Sequence, residues 1–368
     1  MSPAAAGPVV VAPAAAGEAT DDSALLARLD IDWGEIESEG WTVVKGVVPP
    51  EVCQRARRLV DGLLGPPAEV VTDHIASSTI GLRKAQGQVE DPPWPGPQGI
   101  CDWSGVGPRP PEVATYNYRH TIRHPIYDEV MAELVTDATV AIHRRLLRTE
   151  SLRLTQQAFV RSDYDPPARA AATGVVVDGW HIDHAFLAQQ YESTPRAVYY
   201  SSMIALSTIE SGGAPLVVQP GSLAEGKAEA ARILAAEPCW CAAMPDDHYR
   251  TELSARVMPA MSDSVGSAHE VLCDEGDIII LNPMCLHSAS PMCLPGRTRH
   301  VVFNTFIDAS STFMLLPERG ATRPASKFSP ELRTGLAARG LESLLGWLAP
   351  LEPADTQRRR YFGTAAKM

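Results

Sequence analysis

Several features that define whole classes of protein are missing from this sequence of 368 residues. No apolar run approaches the roughly 18 residues that a membrane-spanning helix needs, so no membrane span is expected. Basic residues are outnumbered, with 32 Lys and Arg against 44 Asp and Glu, and the formal net charge is −12. Because phosphate binding needs a basic face, this balance argues against nucleic acid as a partner.

Cysteine is also sparse, at seven residues, which is an odd number. Such usage is typical of free thiols in a reducing compartment rather than of a disulfide scaffold. Residues 1–17 contain no Lys or Arg, whereas secretory signals begin with basic residues and transit peptides are rich in arginine. We therefore expect a cytoplasmic protein with a disordered tail over residues 1–20. The sequence makes no prediction of the oligomeric state.

Apolar residues make up 45% of the chain, enough for a sizeable core. Segments with strand character alternate with turn residues, and helical patterns lie mainly near both ends. This order predicts a mainly β protein with a double-sheet core and a helical layer. We expect one domain over residues 21–320, an insertion within it at 223–269, and a helical extension over 321–368. The predicted strands are 41–48, 152–160, 197–206, 215–219, 271–282 and 299–307.

The segment Trp180-His-Ile-Asp-His184 carries the clearest chemistry. In an extended segment alternate side chains share one face, so His181 and Asp183 project together. An imidazole and a carboxylate on one face form two arms of a metal site. His184 is expected to point away from Asp183 and not to be a ligand. An HxD pattern also occurs by chance on surfaces, so the pattern alone is weak.

His287 is the best candidate for the third arm, because it follows an apolar strand that begins after Gly276 and Asp277. Two histidines and one carboxylate leave open positions on a metal, the arrangement that non-haem iron(II) oxygenases use. Besides the metal ligands, such a site needs a second feature, which is a nearby side chain that anchors a dicarboxylate cosubstrate. Arg299 opens an apolar strand, and its guanidinium can grip a carboxylate through two parallel hydrogen bonds. Arg297 is two residues earlier, would share this face if the strand began early, and is the alternative anchor.

These blocks together resemble the phytanoyl-CoA dioxygenase family of iron(II)- and 2-oxoglutarate-dependent oxygenases. Residues 40–51 resemble the opening strand and helix of the family, and 180–183 resemble its HxD motif. Residues 212–222, with Pro-Gly-Ser at their end, and the later Gly-Asp-Ile, His287 and Arg299 resemble its second half. The resemblance spans roughly residues 37–308.

The resemblance implies a double-stranded β-helix, or jelly-roll, that uses Fe(II), 2-oxoglutarate and O2. It also implies that His181, Asp183 and His287 bind iron and that Arg299 binds the distal carboxylate of 2-oxoglutarate. Two positions depart from the family: Leu223 replaces a typical histidine after Pro-Gly-Ser. Ala289 replaces a hydroxyl residue, for which Ser288 or Ser290 is a substitute.

Because Asp183 is present, oxygen chemistry is favoured over halogenation, in which related enzymes have a small residue at this position. The expected reaction is oxidation of a small organic molecule, in secondary or lipid metabolism, with 2-oxoglutarate converted to succinate and CO2. Hydroxylation is favoured, and desaturation, ring formation and epoxidation are the alternatives. Candidate substrate contacts are Trp103, Tyr116, Tyr118, Gln157 and Trp180. Each of them is also a reasonable core residue.

Other interpretations of these patterns remain open. The chain could be a jelly-roll binding protein without catalysis, or a cupin-type isomerase that uses a metal but no 2-oxoglutarate. Arg299 could form a structural ion pair instead of an anchor. Cys239 and Cys241 with His248 could hold zinc, although structural zinc usually needs two ligand pairs at set spacing.

Overall fold

The computed structural model describes residues 22–64, 113–116, 119–122, 126, 128–164, 180–238, 246–263, 268–310 and 329–345. The predicted tail at 1–20 and most of the predicted extension at 321–368 lie outside these residues. Within the described part, no helix is both long enough and apolar enough to cross a membrane.

Two antiparallel sheets form the core of the protein. Within the described residues, the larger sheet has seven strands in the order β1-β8-β5-β10-β4-β3-β2, and the smaller has three in the order β7-β6-β9. The strands of the larger sheet are β1 (Trp41–Val44), β2 (Val113–Tyr116), β3 (Arg119–Ile122), β4 (Leu152–Ser162), β5 (Tyr200–Ala205), β8 (Ile278–Leu281) and β10 (Arg299–Asp308). Those of the smaller sheet are β6 (Leu216–Val218), β7 (His269–Val271) and β9 (His287–Ala289).

The two sheets face each other across an apolar layer. Met203, Ile279 and Val301 contribute to it from the larger sheet, and Leu216 and Val271 from the smaller one. Facing antiparallel sheets whose neighbouring strands are distant in sequence form a jelly-roll. The predicted double-stranded β-helix is therefore confirmed.

A second apolar layer packs helices onto the outer face of the larger sheet. It includes Phe159, Ile280 and Phe306 from the strands, and Ile142 and Val257 from the helices. The helices are α1 (Asp22–Leu26), α2 (Trp33–Ser38), α3 (Pro50–Leu64), α4 (Val130–Glu133), α5 (Asp137–Leu147), α6 (Ala188–Glu192), α7 (Ser222–Ala236), α8 (Asp246–Asp263) and α9 (Pro330–Ala337), followed by a 3-10 turn at Glu342–Leu345.

The single strand predicted at 271–282 is wrong. Its ends lie in different sheets, β7 and β8, because the chain turns between them. Gly276 has φ +89°, and a Cβ there would lie 2.2 Å from the carbonyl oxygen of Val48, so only glycine fits the turn. The buried Asp277 carboxylate accepts hydrogen bonds from Lys45 and from the Gly46 N–H. This turn carries the chain from the smaller sheet to the larger one.

The predicted insertion at 223–269 consists mainly of two helices, α7 and α8. The Ala185 N–H donates to the Ser254 hydroxyl of α8 at 2.9 Å, so the insertion packs directly beside the HxD segment. Leu253 and Val257 of α8 are fully buried in the outer apolar layer. The insertion is thus part of the packing around the candidate site.

Candidate metal centre

The HxD segment runs beside β9 and is fixed by backbone hydrogen bonds. The His181 N–H donates to the His287 carbonyl at 3.0 Å, and the His287 N–H returns a bond to the His181 carbonyl at 2.9 Å. The Asp183 N–H donates to the Pro283 carbonyl at 2.8 Å. Pairing of these two segments places residues 181 and 287 opposite each other, although they are far apart in sequence.

This pairing brings the three predicted ligands together. One ligating atom each from His181, Asp183 and His287 lies within 4.8 Å of the others. His181 Nε2 is 3.8 Å from Asp183 Oδ1, and the two imidazole centroids are 4.4 Å apart. Among the residues that the structure describes, this is the only such group of three potential ligands.

The environment of His287 prepares it to bind a metal. Its Nδ1 lies 2.8 Å from the Cys285 carbonyl oxygen, which can only accept, so Nδ1 carries the proton and Nε2 is left for a ligand bond. Burial lowers the pKa of His287, although the Asp183 carboxylate acts in the opposite direction. The ring is therefore held in the neutral form that coordinates metals.

The donor set fits iron(II). Two imidazoles and one carboxylate suit this ion and leave coordination positions open for small ligands. The side chains of His181 and Asp183 are 50% and 40% exposed, so the site faces open space on one side. His287 forms the buried side of the site and is held by the sheet.

The triad lies at a cavity of about 410 Å³ inside the jelly-roll. Inward side chains of β4, β5 and β10 form one wall, and β9 with the HxD segment forms another. Apolar groups such as Met203, Leu216 and Phe303 alternate with polar ones such as Ser201 and Thr305. A partly open cavity of this size can hold two small molecules beside the triad.

Of the two candidate anchors, only Arg299 lines this cavity. Its side chain is buried at the start of β10, and Nη1 donates to the Ala214 carbonyl. The side chain of Arg297 is 70% exposed and lies 3.9 Å from Glu210. Ser288 and Ala289 also line the cavity, whereas Ser290 is buried elsewhere.

Two predicted substrate contacts lie elsewhere and need correction. Gln157 points to the helical side of the sheet, where its Nε2 donates to the Met131 carbonyl at 3.0 Å. Trp180 packs against the outer apolar layer and does not line the cavity. Alternation along β4 explains the first error, because Gln156 and Ala158 face inward instead.

The remaining predicted contacts are outside what the structure describes. Trp103 and Tyr118 lie beyond the described residues, and of Tyr116 only the backbone within β2 is described. The same holds for the zinc alternative, because Cys239 and Cys241 lie outside the described residues.

Sequence reasoning missed a polar pair at the cavity. His184 was expected to point away from the site, but it lines the cavity, and its Nδ1 lies 2.8 Å from the Tyr199 hydroxyl. The segment around His184 is bent rather than regularly extended, since the N–H groups of both Asp183 and His184 approach the Pro283 carbonyl. Strict alternation therefore ends at Asp183.

A jelly-roll with two histidines and a carboxylate at an internal cavity defines the class of non-haem iron oxygenases and related metal-binding proteins. The model of the phytanoyl-CoA dioxygenase (PhyH) family matches residues 36–293, which is more than half of the chain. The chain belongs to this family of iron(II)- and 2-oxoglutarate-dependent oxygenases.

Solved structures give more distant likenesses. HygX from Streptomyces hygroscopicus, with nickel, 2-oxoglutarate and hygromycin B bound, is 14% identical, with 77% of this chain and 88% of that chain covered and a TM-score of 0.40. EctD from S. alaskensis, with 2-oxoglutarate and 5-hydroxyectoine, is 13% identical, with 82% of each chain covered and a TM-score of 0.43. The 2-oxoglutarate-dependent epimerase SnoN from nogalamycin biosynthesis is 14% identical, with 81% and 92% covered and a TM-score of 0.39. The comparison with curated proteins gave no significant match.

Proposed function

We propose that this protein hydroxylates a small organic molecule, using iron(II), 2-oxoglutarate and O2. The observation that carries the proposal is the convergence of His181, Asp183, His287 and Arg299 on one cavity. Membership of the phytanoyl-CoA dioxygenase family supports the cofactor requirement. Asp183 occupies the carboxylate position of the triad, which favours oxygen chemistry over halogenation, and among the oxygen reactions we propose hydroxylation.

His181, Asp183 and His287 would hold the iron on one face and leave the opposite face open to the cavity. The iron, with 2-oxoglutarate and O2, supplies the oxidising chemistry when bound. Asp183 would offset part of the metal charge, and the hydrogen bond from His287 to the Cys285 carbonyl orients the ring. The protein's contribution is to fix these groups before any substrate enters.

Arg299 would hold the distal carboxylate of 2-oxoglutarate. Its guanidinium is buried, so its attraction for a carboxylate is screened less than at the surface. The bond from Arg299 to the Ala214 carbonyl fixes the direction of the side chain. Apolar neighbours such as Met203 and Phe303 would exclude water from the methylene groups of the cosubstrate.

Turnover with a panel of organic molecules tests this proposal. Purified protein with iron(II), 2-oxoglutarate and O2 should release succinate with a true substrate, and the product should gain one oxygen atom from labelled O2. His181→Ala should abolish both signals while the protein stays folded, because this side chain is half exposed. Full activity of His181→Ala would refute the ligand assignment. Succinate release with no oxygen in the product would refute hydroxylation.

A further inference from the structure

One row of side chains on the cavity wall is polar, whereas the adjoining row is apolar. Gln156 on β4, Thr305 on β10 and Ser201 on β5 lie directly opposite one another across three adjacent strands. All three line the cavity, and the Ser201 and Thr305 hydroxyls are 3.1 Å apart. They form a continuous polar row, which we call the Gln156 row.

The adjoining row on the same face is apolar and consists of Ala158, Phe303 and Met203. Arg299 lies further along β10, six residues before Thr305, which is about 20 Å of extended strand. The polar row is therefore separated along the strand from the group assigned to 2-oxoglutarate. One end of the cavity wall, at Arg299, suits a carboxylate, and the other end, at the Gln156 row, is available to a different ligand.

Gln156 differs from the adjacent Gln157 in its side-chain hydrogen bonding to the described part of the chain. No hydrogen bond joins its half-buried carboxamide to any residue within the described ranges, whereas the adjacent Gln157 donates to the Met131 carbonyl. A carboxamide in a cavity offers two donors and an acceptor, and burying them without partners costs free energy. Such a group is suited to a ligand that both accepts and donates hydrogen bonds.

The acidic and basic side chains that line the cavity lie at the metal site or at Arg299. Among the described lining residues, the acidic and basic side chains are those of Asp183, Arg299 and the histidines at 181, 184 and 287. None of these belongs to the Gln156 row. A charged substrate group placed there would lose its hydration without gaining a counter-ion.

We infer that the Gln156 row binds an uncharged amide, carbonyl or hydroxyl group of the primary substrate. This inference rests on the proposed function, because it requires that Arg299 and the triad be taken by 2-oxoglutarate and iron. Gln156 is then a specificity-determining residue. It would orient the substrate through hydrogen bonds within the cavity that the metal site also lines.

Four probes with one carbon skeleton test the inference: benzamide, benzyl alcohol, benzoate and benzylamine. Each is titrated into anaerobic protein loaded with iron(II) and 2-oxoglutarate, and binding is followed by paramagnetic broadening of the probe's proton NMR signals. Benzamide and benzyl alcohol should bind about tenfold more tightly than the two charged probes. Gln156→Leu should weaken benzamide binding about tenfold, as expected for loss of a neutral hydrogen bond.

Gln157→Leu is the matched control, because it changes the same residue type on the other face of the same strand. It should lower the melting temperature through loss of the Met131 contact but leave the preference among probes unchanged. Gln156→Leu should show the reverse: the melting temperature should not fall, and the preference among the probes should be lost. A purely structural role for Gln156 would not produce this contrast.

The visible charge-transfer band of iron-bound 2-oxoglutarate is recorded before any probe is added. It distinguishes a failure of this inference from a failure of the proposed function. If the band forms but the charged probes bind best, no probe binds, or Gln156→Leu changes nothing, the inference is overturned and the proposed function stands. If the band does not form, the proposed function fails, and the inference fails with it.

Discussion

Single residues of identical type have opposite roles in this structure, and their environment decides between them. Arg299 is buried in the cavity wall, whereas Arg297, two positions earlier, is exposed near Glu210. Gln156 faces the cavity, whereas Gln157 bonds to a helix on the other side of the sheet. In each case the period-two geometry of a strand or the end of that strand sets the difference.

The two arginines give a matched pair of substitutions. Arg299→Lys should raise the Kd for 2-oxoglutarate about tenfold, or about 1.4 kcal/mol, because lysine cannot form two parallel hydrogen bonds to a carboxylate. Arg297→Lys should leave this Kd unchanged. Anaerobic titration with 2-oxoglutarate, after iron(II) has been added, measures both. Equal affinities in all three proteins would remove Arg299 from the cosubstrate site.

At the scale of elements, the sequence predicts the long strands well, but it does not predict β2, β3 and β9, and it merges β7 with β8. The predicted segments 152–160 and 299–307 correspond closely to β4 and β10, because both are long and apolar. Which face of β4 points inward was not predictable, since both faces are almost entirely buried and the usual apolar–polar alternation is lost. The register shift between Thr305 and Phe306 also changes which side chains of β4 and β10 share a face.

The candidate ligands could be proposed from local patterns, but their convergence depends on distant pairing. The HxD segment supplies two arms on one face, as the extended geometry predicts. His287 joins them only because residues 181 and 287 form a bridge, a contact that no local pattern encodes. The same limit explains why the sequence predicts one strand over residues 271–282, although Gly276 indicates a turn there.

At the scale of the whole molecule, the two apolar layers stabilise different parts of the fold. The layer between the sheets surrounds the cavity, whereas the outer layer joins the larger sheet to the helices. His143 of α5 is fully buried in the outer region, with Nδ1 2.7 Å from the Thr139 carbonyl and its ring against Phe306. Burial lowers the pKa of His143 to about 4.

This histidine should make the stability of the fold depend on pH. Its ordinary pKa is about 6.5, so between that value and about 4 the unfolded chain binds a proton that the native protein excludes. The free energy of unfolding should therefore fall as the pH is lowered through this window, by up to about 3 kcal/mol from this residue. His143→Leu, which cannot titrate, should show a flatter dependence. Urea unfolding of both proteins at several pH values measures the difference, and identical slopes would contradict the assignment.

The central claim is that His181, Asp183 and His287 hold iron(II) with open positions that 2-oxoglutarate can occupy. The most direct measurement is anaerobic absorption spectroscopy, with iron(II) added first and 2-oxoglutarate second. The account predicts a weak visible charge-transfer band that forms only when both are present and that is lost in His181→Ala. Iron that binds without a band on addition of 2-oxoglutarate, or a band that persists in His181→Ala, would contradict it.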